Sequence, residues 1–281
     1  MKAERLYQEL EEDFVEPEMW DEWAEYMESI SDYLTEQFKE RSIGLVCDNT
    51  DEVNEVYTAV FPEKKVMKEV LEKTDGESLL FMHHPSIWDI REEPPFKLMD
   101  PDLLKKFKDK KISIYILHVP LDNYGKYSTG RSLAEALNID IEQPFAEYRG
   151  GKSGVIGKTE AETLEEQAKT FQKTIGHEVG IYPYGEEEIK NGKIGMVTGG
   201  GLMKSNLKEL GKRNINTFIT GVTSTKGQGE QHEYAEENRI NLLGGTHYST
   251  EKFACKKICN YFEDKGLPAR FIEGEPVMAD L

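Results

Sequence analysis

The sequence has little of what marks secreted or membrane-bound proteins. It contains three cysteines, Cys47, Cys255 and Cys259, among 281 residues, and no Cys-x-x-Cys pair. Three cysteines cannot close a disulfide framework, and a spacing of four is typical of one helix face, so a reducing compartment is expected. The longest apolar run, Ile112–Leu117, is far shorter than the roughly 20 residues of a membrane span. The opening residues also lack the apolar core of a secretory signal, so we expect a cytoplasmic protein without membrane contact.

Positive charge is also scarce. The chain has 53 Asp and Glu residues against 35 Lys and Arg, which gives a formal net charge of −18. Residues 1–42 alone hold 14 acids and 4 bases. A negative field repels phosphate backbones, and the sequence has no basic stripe, so nucleic-acid binding is disfavoured. The length is sufficient for one large domain or two ordinary ones with a buried core.

The acidic opening segment has a helical pattern. Apolar residues from Leu6 to Phe38 recur every three or four positions with acids between them. Pro17 divides the pattern, so we expect two helices, the second beginning near Glu18. We expect the Trp and Met residues of the segment to pack in a core and its acids to face solvent.

Beyond residue 42, short apolar strands alternate with helical patterns, which predicts an α/β fold with mixed sheets covered by helices. We divide the chain into an acidic helical segment (1–42), a first α/β lobe (43–149) and a similar second lobe (150–281). The predicted strands are Ser42–Asn49, Ser78–Met82, Ile112–Leu117, Gly154–Ile156, Gly180–Tyr184, Lys193–Thr198, Thr217–Gly221 and Asn241–Gly244. The predicted helices are Val66–Lys73, Pro101–Lys110, Ser128–Leu137, Thr163–Ile175, Met203–Lys212, Gln231–Asn238 and Ser249–Lys265, and Thr50–Thr58 carries charge at helical spacing.

Histidine is rare, yet four of the six histidines stand in contexts that suit a ligand site. His83 and His84 follow a predicted strand, His118 ends another, and His247 precedes the last helix. Side chains at the carboxyl ends of strands are where ligands bind in such folds. Neighbouring imidazoles diverge, so His83 and His84 can serve two different ions.

Carboxylates accompany these histidines at a spacing of four. Asp122 follows His118, and Glu251 follows His247 on one face of a helical turn. A histidine pair or a His-x-x-x-Glu pair alone is often incidental. Their conjunction on three segments predicts a nitrogen–oxygen ligand set large enough for two hard or borderline metal ions.

Four further features need an interpretation, and three of them have more than one. Ala146–Ser153 fits a loose P-loop pattern, but it lacks the apolar strand before it and the helix after it, so we reject that interpretation. Gly199–Gly201 follows a strand and precedes a helix, which predicts a tight turn, with a phosphate contact as the alternative. Trp88 and Asp89 either line the ligand pocket or pack, and the role of His232 is open.

Four segments in series, MHHPSIWD, HVPLDN, FITG and GGTHYSTE, resemble the NIF-three-like dinuclear-metal family, also catalogued as GTP cyclohydrolase I type 2 homologs. The resemblance spans roughly residue 43 to the C-terminus. It implies two divalent ions per chain (Zn, Fe, Mn, Co or Ni), with Asp122 and Glu251 as shared ligands and His118 as a group that supports a ligand or moves a proton. The implied ligands are His83, His84, Asp122, His247 and Glu251.

The same resemblance implies an activity and an assembly. The expected reaction is hydrolysis of a nucleotide, as in a GTP cyclohydrolase, or of a phosphoester, by a hydroxide that bridges the metals, with His118 as the catalytic proton carrier. The expected partner is the chain itself, in a homohexamer, besides a small nucleotide or phosphorylated substrate. The alternative is a non-enzymatic metal-binding or regulatory hexamer. Two departures from the family are the long acidic opening and Val222, where members often carry an acid.

Overall fold

The computed structural model describes residues 1–281, in which helices and strands alternate along the chain. The helices are α1 (Ala3–Phe14), α2 (Glu36–Arg41), α3 (Lys64–Lys73), α4 (Pro101–Asp109), α5 (Val119–Asp122), α6 (Thr129–Ala136), α7 (Leu164–Ile175), α8 (Lys204–Lys212), α9 (Gly229–Glu237), α10 (His247–Lys257) and α11 (Cys259–Asp264). The strands are β1 (Gly44–Cys47), β2 (Glu55–Ala59), β3 (Ser78–Met82), β4 (Ile87–Trp88), β5 (Phe96–Lys97), β6 (Ile112–Ile116), β7 (Asp140–Tyr148), β8 (Gly151–Lys158), β9 (Gly180–Tyr182), β10 (Lys193–Val197), β11 (Thr217–Thr220), β12 (Asn241–Gly244) and β13 (Ala269–Phe271). Short 3₁₀ helices lie at Trp23–Tyr26, Glu28–Tyr33, Lys190–Gly192 and Met278–Asp280.

The chain forms two compact units that interleave along the sequence. The first unit consists of Met1–Leu121, Arg149–Gly151 and Cys255–Gly274. The second consists of Asp122–Tyr148, Lys152–Ala254 and Glu275–Leu281. Each unit has its own sheet, and the expected α/β fold with mixed sheets is confirmed. No helix combines the length and the apolar character that crossing a membrane requires.

The first unit contains a five-stranded sheet in the order β1-β6-β3-β2-β13. Strand β1 runs antiparallel to β6, and the other neighbours are parallel. All five residues of β3 and all five of β6 are buried, as expected for parallel strands covered on both faces. Helix α3 connects β2 to β3, and α4 connects β3 to β6, so these strands are built from two β-α-β units.

The acidic opening segment contributes to the core of the first unit, although its second helix does not begin near Glu18. Two 3₁₀ helices and the short α2 take its place. A 3₁₀ helix brings residues i and i+3 to one face, so it satisfies the same apolar spacing as an α-helix. Met27, Ile30 and Phe38 are buried in the core, whereas Trp20 is 52% exposed and corrects the expectation that every Trp of this segment is a core residue.

The second unit contains a six-stranded sheet in the order β7-β8-β10-β11-β12-β9. Strands β10, β11 and β12 are parallel, while β8 and β9 run antiparallel to their neighbours at either side. One hydrophobic cluster gathers side chains from α6 and α7, and another gathers side chains from α8 and α9. The unit therefore has helices packed over apolar strand residues in two separate clusters.

Local structure departs from the sequence pattern at two further places. The charged segment Thr50–Thr58, expected as a helix, contains strand β2 instead, because Val56, Tyr57 and Thr58 are buried between two neighbouring strands. The expected single helix Ser249–Lys265 is two helices, α10 and α11. In β2, burial of β-branched and aromatic side chains, which pack well in a sheet, therefore outweighed the helical spacing of the charges.

Substitution of Phe38 by alanine should measure how far the opening segment stabilises the first unit. Phe38 is fully buried, and removal of a buried aromatic ring costs about 3–5 kcal/mol of unfolding free energy. The matched control is Glu40→Ala on the same helix, where the side chain is exposed and a change within about 0.5 kcal/mol is expected. Urea unfolding measures both, and equal effects would contradict the packing role of the segment.

Candidate metal centre

Histidines of the first unit meet because β3 and β6 are parallel neighbours. Met82, the last residue of β3, pairs with Ile116, the last residue of β6. His83 and His84 directly follow Met82, and His118 follows two residues after Ile116. The carboxyl ends of parallel strands lie at one edge of the sheet, so the register alone brings the three imidazoles to the same place.

The three imidazole rings form a buried cluster. Ring centroids are 4.3 Å apart for His83 and His84, 5.3 Å for His83 and His118, and 4.7 Å for His84 and His118. One ligand nitrogen from each of the three lies within 4.8 Å of the others. Their residues are 0%, 3% and 8% exposed, respectively. Three imidazole nitrogens that converge in this way could hold a divalent ion.

Each ring has a contact that limits its rotation. His83 Nδ1 lies 3.0 Å from the carbonyl oxygen of Leu117, so an Nδ1–H donates there and Nε2 carries the lone pair. The ring of His84 stacks on Phe61, with centroids 4.7 Å apart. His118 Nδ1 lies 2.6 Å from Asp21 Oδ2. The cluster is therefore held by neighbours of its own unit.

In the second unit the parallel strands β10, β11 and β12 bring a second donor set together. Val197 pairs with Thr220 and Thr220 with Gly244 at their carboxyl ends. Helix α10 begins three residues after Gly244, at His247. The backbone N–H of His247 donates to Asp280 Oδ2 at 2.9 Å, a carboxylate at a helix N-terminus, where the helix dipole favours it.

Helix α10 presents His247 and Glu251 on one face. His247 Nε2 and Glu251 Oε1 are 3.2 Å apart, as the four-residue spacing predicts. A carboxylate oxygen of Asp122 lies within 4.8 Å of one of Glu251, and Asp122 Oδ1 accepts a hydrogen bond from Thr129 Oγ1 at 2.8 Å. All three side chains are buried. Two carboxylates and an imidazole thus converge in this unit.

Gly199 leaves the space that this donor pair needs. It has φ of +57°, and its N–H donates to Thr250 Oγ1 at 3.0 Å. A Cβ built on it would collide with Glu251 Oε1 and would lie 2.7 Å from His247 Nε2. The backbone thus passes close beside both ligand atoms, which fits a metal centre with oxygen and nitrogen donors. This close packing explains the glycine at residue 199 in the turn Gly199–Gly201 without a phosphate contact.

Buried histidine, aspartate and glutamate side chains of this chain could therefore hold metal ions. The three cysteines are buried, and none of them is in a disulfide bond. Burial raises the pKa of the Cys47 thiol to about 12, which disfavours the thiolate form that binds metals. The donor chemistry is imidazole and carboxylate, which suits zinc, iron, manganese, cobalt or nickel.

The remaining two histidines have structural partners. His232 Nε2 lies 2.9 Å from the carbonyl oxygen of Thr223 and donates to it, while Nδ1 accepts from the Tyr184 hydroxyl at 2.9 Å. His177 contacts the Glu178 carbonyl oxygen and Ser249 Oγ. Their polar contacts are thus with backbone and hydroxyl groups.

The structure also shows the surroundings of two other sequence candidates, Asp89 and the segment Ala146–Ser153. Asp89 accepts two hydrogen bonds from the Arg91 guanidinium, at 2.8 and 2.7 Å, and this guanidinium lowers the pKa of the Asp89 carboxyl. Asp89 therefore serves a local turn. The segment Ala146–Ser153 lies in β7, its turn and β8, with no helix after it, so the rejected P-loop interpretation stays rejected.

Sequence reasoning missed three residues around the donors. Asp21 contacts His118, Asp280 caps α10, and Arg149 lies beside Asp21 with Nη1 3.7 Å from Oδ1. All three are distant in sequence from the residues that they contact. The only indication in the sequence was the high number of acidic residues before residue 43, which does not show which residue any of them contacts.

We expect added zinc to raise the melting temperature of the wild-type chain, and alanine at Gly199 should abolish that rise. The added methyl group would displace His247 or Glu251, and the left-handed backbone of residue 199 costs a non-glycine residue roughly 1–2 kcal/mol. Gly200→Ala is the control because nothing lies within 4 Å of its added Cβ. The readout is the difference in melting temperature between zinc-loaded and chelator-treated protein. A zinc-dependent shift that survives in Gly199→Ala would rule out this clearance role.

Acid should destabilise the second unit through His232. Burial lowers the pKa of His232 below its usual value, so the unfolded chain binds this proton at a higher pH than the folded chain does. Its contribution to the free energy of unfolding is therefore fully present above about pH 6.5 and decreases as the pH falls below that value. Urea unfolding of wild type and His232→Gln at pH 7.5 and 5.5 isolates the effect. The loss on acidification should be larger in wild type, and equal losses would contradict the assignment.

Comparison with known proteins agrees with this architecture. Residues 20–276 match the family model described as Duf34/NIF3 (NGG1p interacting factor 3). A protein of Deinococcus radiodurans named GTP cyclohydrolase 1 type 2 homolog is 25% identical over 233 residues, 82% of this chain and 83% of the relative. A Pyrococcus horikoshii protein of the same name is 28% identical over 236 residues, 82% of this chain and 88% of the relative.

Solved structures extend the similarity over nearly the whole chain. The protein ybgI, described as of unknown function, has a TM-score of 0.74 at 21% identity and covers 98% of this chain and 100% of its own; this likeness concerns the fold. Reduced HcgD from Methanocaldococcus jannaschii has a TM-score of 0.64 at 26% identity, with 89% of this chain and 97% of its own covered. On the match of its residues 20–276, this chain belongs to the Duf34/NIF3 (NGG1p interacting factor 3) family.

Proposed function

We propose that this chain is a hydrolase that depends on two divalent metal ions and acts on a nucleotide or another phosphorylated small molecule. The observation that carries the proposal is the buried trio of imidazoles within 4.8 Å of one another at the ends of β3 and β6. Buried imidazoles without such convergence are ordinary core residues, as His232 is. The proposed metal ligands are His83, His84, Asp122, His247 and Glu251.

The chemistry of the donors supports this reaction class. Two divalent ions supply Lewis-acid activation of water and of a carbonyl or phosphoryl oxygen. In the proposed division of labour, Asp122 and Glu251 provide the shared anionic ligands, and His83 and His84 serve different ions. The cations would also offset the negative field of a chain with net charge −18, which otherwise repels an anionic substrate.

His118 is proposed as the residue that moves the proton. Its imidazole lies beside those of His83 and His84 and is 8% exposed, and histidine is the side chain whose charge changes most readily near neutral pH. General acid–base catalysis of this kind contributes about 10²–10⁴ in rate. The name shared by the curated relatives, GTP cyclohydrolase 1 type 2 homolog, supports GTP as the first substrate to test.

We further propose that the chain assembles with itself as a homohexamer, as its family resemblance implies. Size-exclusion chromatography with light scattering determines the number of chains directly. This assembly is compatible with the hydrolytic and the purely metal-binding roles alike, so it does not separate them.

Metal content and turnover together test the function. Full-length protein reloaded with zinc, iron or manganese should hold about two ions per chain and hydrolyse GTP or a nitrophenyl phosphoester. His247→Ala and Glu251→Ala should lose metal and turnover. His118→Gln should keep the metals and lose about 10²–10⁴ in kcat.

His232→Gln is the matched control, since it removes a buried imidazole of the same unit that lies outside the proposed ligand set. It should keep both metal and turnover. Metal binding without turnover of any nucleotide or phosphoester would favour the non-enzymatic alternative, and the absence of metal after reloading would refute the proposed ligand set.

A further inference from the structure

The acidic opening segment places one carboxylate against His118, and we propose that Asp21 is the positioning residue of this histidine. Asp21 accepts the Nδ1 hydrogen of His118, which leaves Nε2 as the nitrogen with the lone pair. The inference deepens the proposed function, since it specifies which nitrogen of His118 acts there. It also gives the segment before residue 43 a role in the site.

The contact has the geometry of a strong hydrogen bond. Asp21 Oδ2 and His118 Nδ1 are 2.6 Å apart, with 2% of the Asp21 side chain and 10% of the His118 side chain exposed. Hydrogen bonds with a charged partner are shorter and about twice as strong as neutral ones. Burial also keeps water from competing for the carboxylate. A neutral His118 therefore carries its hydrogen on Nδ1.

A second group approaches the same nitrogen. The indole Nε1 of Trp23 lies 3.2 Å from His118 Nδ1, and an indole N–H is a donor only. Nδ1 cannot accept from Trp23 while it donates to Asp21, so the two contacts predict opposite tautomers. The shorter distance and the carboxylate favour donation to Asp21. Trp23 then contributes packing, with its ring edge-on to His118 at 5.9 Å between centroids.

Asp21 is itself fixed in place. Its Oδ1 accepts the backbone N–H of Glu22 at 2.9 Å and lies 3.7 Å from Arg149 Nη1. The Arg149 guanidinium also pairs with Glu22 and covers the ring of Trp20, 4.3 Å from its centroid. Two contacts, from the Glu22 backbone and from Arg149, thus hold Oδ1 of Asp21, while Oδ2 faces His118.

The consequence for His118 is a single ring orientation, with the lone pair on Nε2. A carboxylate behind a histidine fixes the tautomer and orientation of the ring, and its removal typically costs 10–100-fold in activity. A proton carrier needs such control, since a ring that could flip would present a hydrogen where proton transfer requires a lone pair.

The test is the tautomer of His118, read from the ¹⁵N shifts of its ring nitrogens in the zinc-loaded full-length chain. Assignment comes from the signals missing in His118→Gln. In wild type, Nδ1 should be protonated and Nε2 should not. Asp21→Asn should shift the population toward a hydrogen on Nε2, because the amide can donate to Nδ1, and kcat should fall roughly 10–100-fold while the metal content stays as in wild type.

Two variants of the same segment serve as controls. Glu22→Gln removes the neighbouring charge that pairs with Arg149, and Trp23→Phe removes the competing indole donor; both should leave the tautomer as in wild type. A wild-type Nδ1 without a hydrogen overturns the proposal without recourse to any variant, so a poorly folded Asp21→Asn does not block the test. A tautomer that changes in Trp23→Phe and stays in Asp21→Asn also overturns it.

The outcomes separate this inference from the proposed function. An Nδ1-protonated His118 in a chain without turnover leaves the positioning role standing and removes the hydrolase. Turnover by a chain whose His118 carries its hydrogen on Nε2 keeps the hydrolase and removes the role of Asp21.

Discussion

The parallel pairing of β3 with β6 is the constraint on which the first unit's chemistry depends. Met82 and Ile116 end their strands in register, so the residues that follow leave the sheet at the same edge. A parallel register is set by burial of both strands, whose ten residues are all buried. Apolar packing of the two strands thus positions three imidazoles. A shift of one residue would turn the sheet faces over and separate the histidines.

The second unit uses the same principle with different donors. The parallel strands β10, β11 and β12 end together, and the turns after β10 and β12 bring Gly199 beside the first turn of α10. A glycine is required there because a Cβ would occupy the position of the donor atoms. The carboxylate and imidazole of α10 lie four residues apart, so the helix itself keeps them together. Ligands on helices and strand ends are held more rigidly than ligands on long loops.

Buried polar groups near these donors have partners that fix their orientation. The Leu117 carbonyl faces His83, Asp21 faces His118, and Asp280 accepts the first N–H of α10. Each of these three partners is distant in sequence from the group that it orients, and no sequence motif marks it. Outside the candidate metal centre, the two ring nitrogens of His232 contact a backbone carbonyl and a tyrosine hydroxyl.

Local sequence was sufficient to predict a helix or strand wherever the residues of that segment alone determine its secondary structure. The apolar runs of β3 and β12 were predicted with the boundaries that the structure has, and α7 within a residue, because burial on both strand faces and a Thr163 cap leave a direct signature. The prediction failed where the same sequence pattern is compatible with two kinds of secondary structure. Threefold spacing in the opening segment suits a 3₁₀ helix as well as an α-helix, and the charges before Ala59 concealed a buried strand.

By itself, the sequence determined the α/β class, the positions of most strands and the short list of histidines and carboxylates that carry chemistry. Those features follow from periodicity, from rarity of histidine and from spacing within one turn. Only the tertiary structure decided that His118 joins His83 and His84, that Gly199 borders the donors of α10 and that Asp21 faces His118. Such contacts join residues as far as 97 positions apart, and strand register and the packing of irregular segments, which no local pattern encodes, determine them.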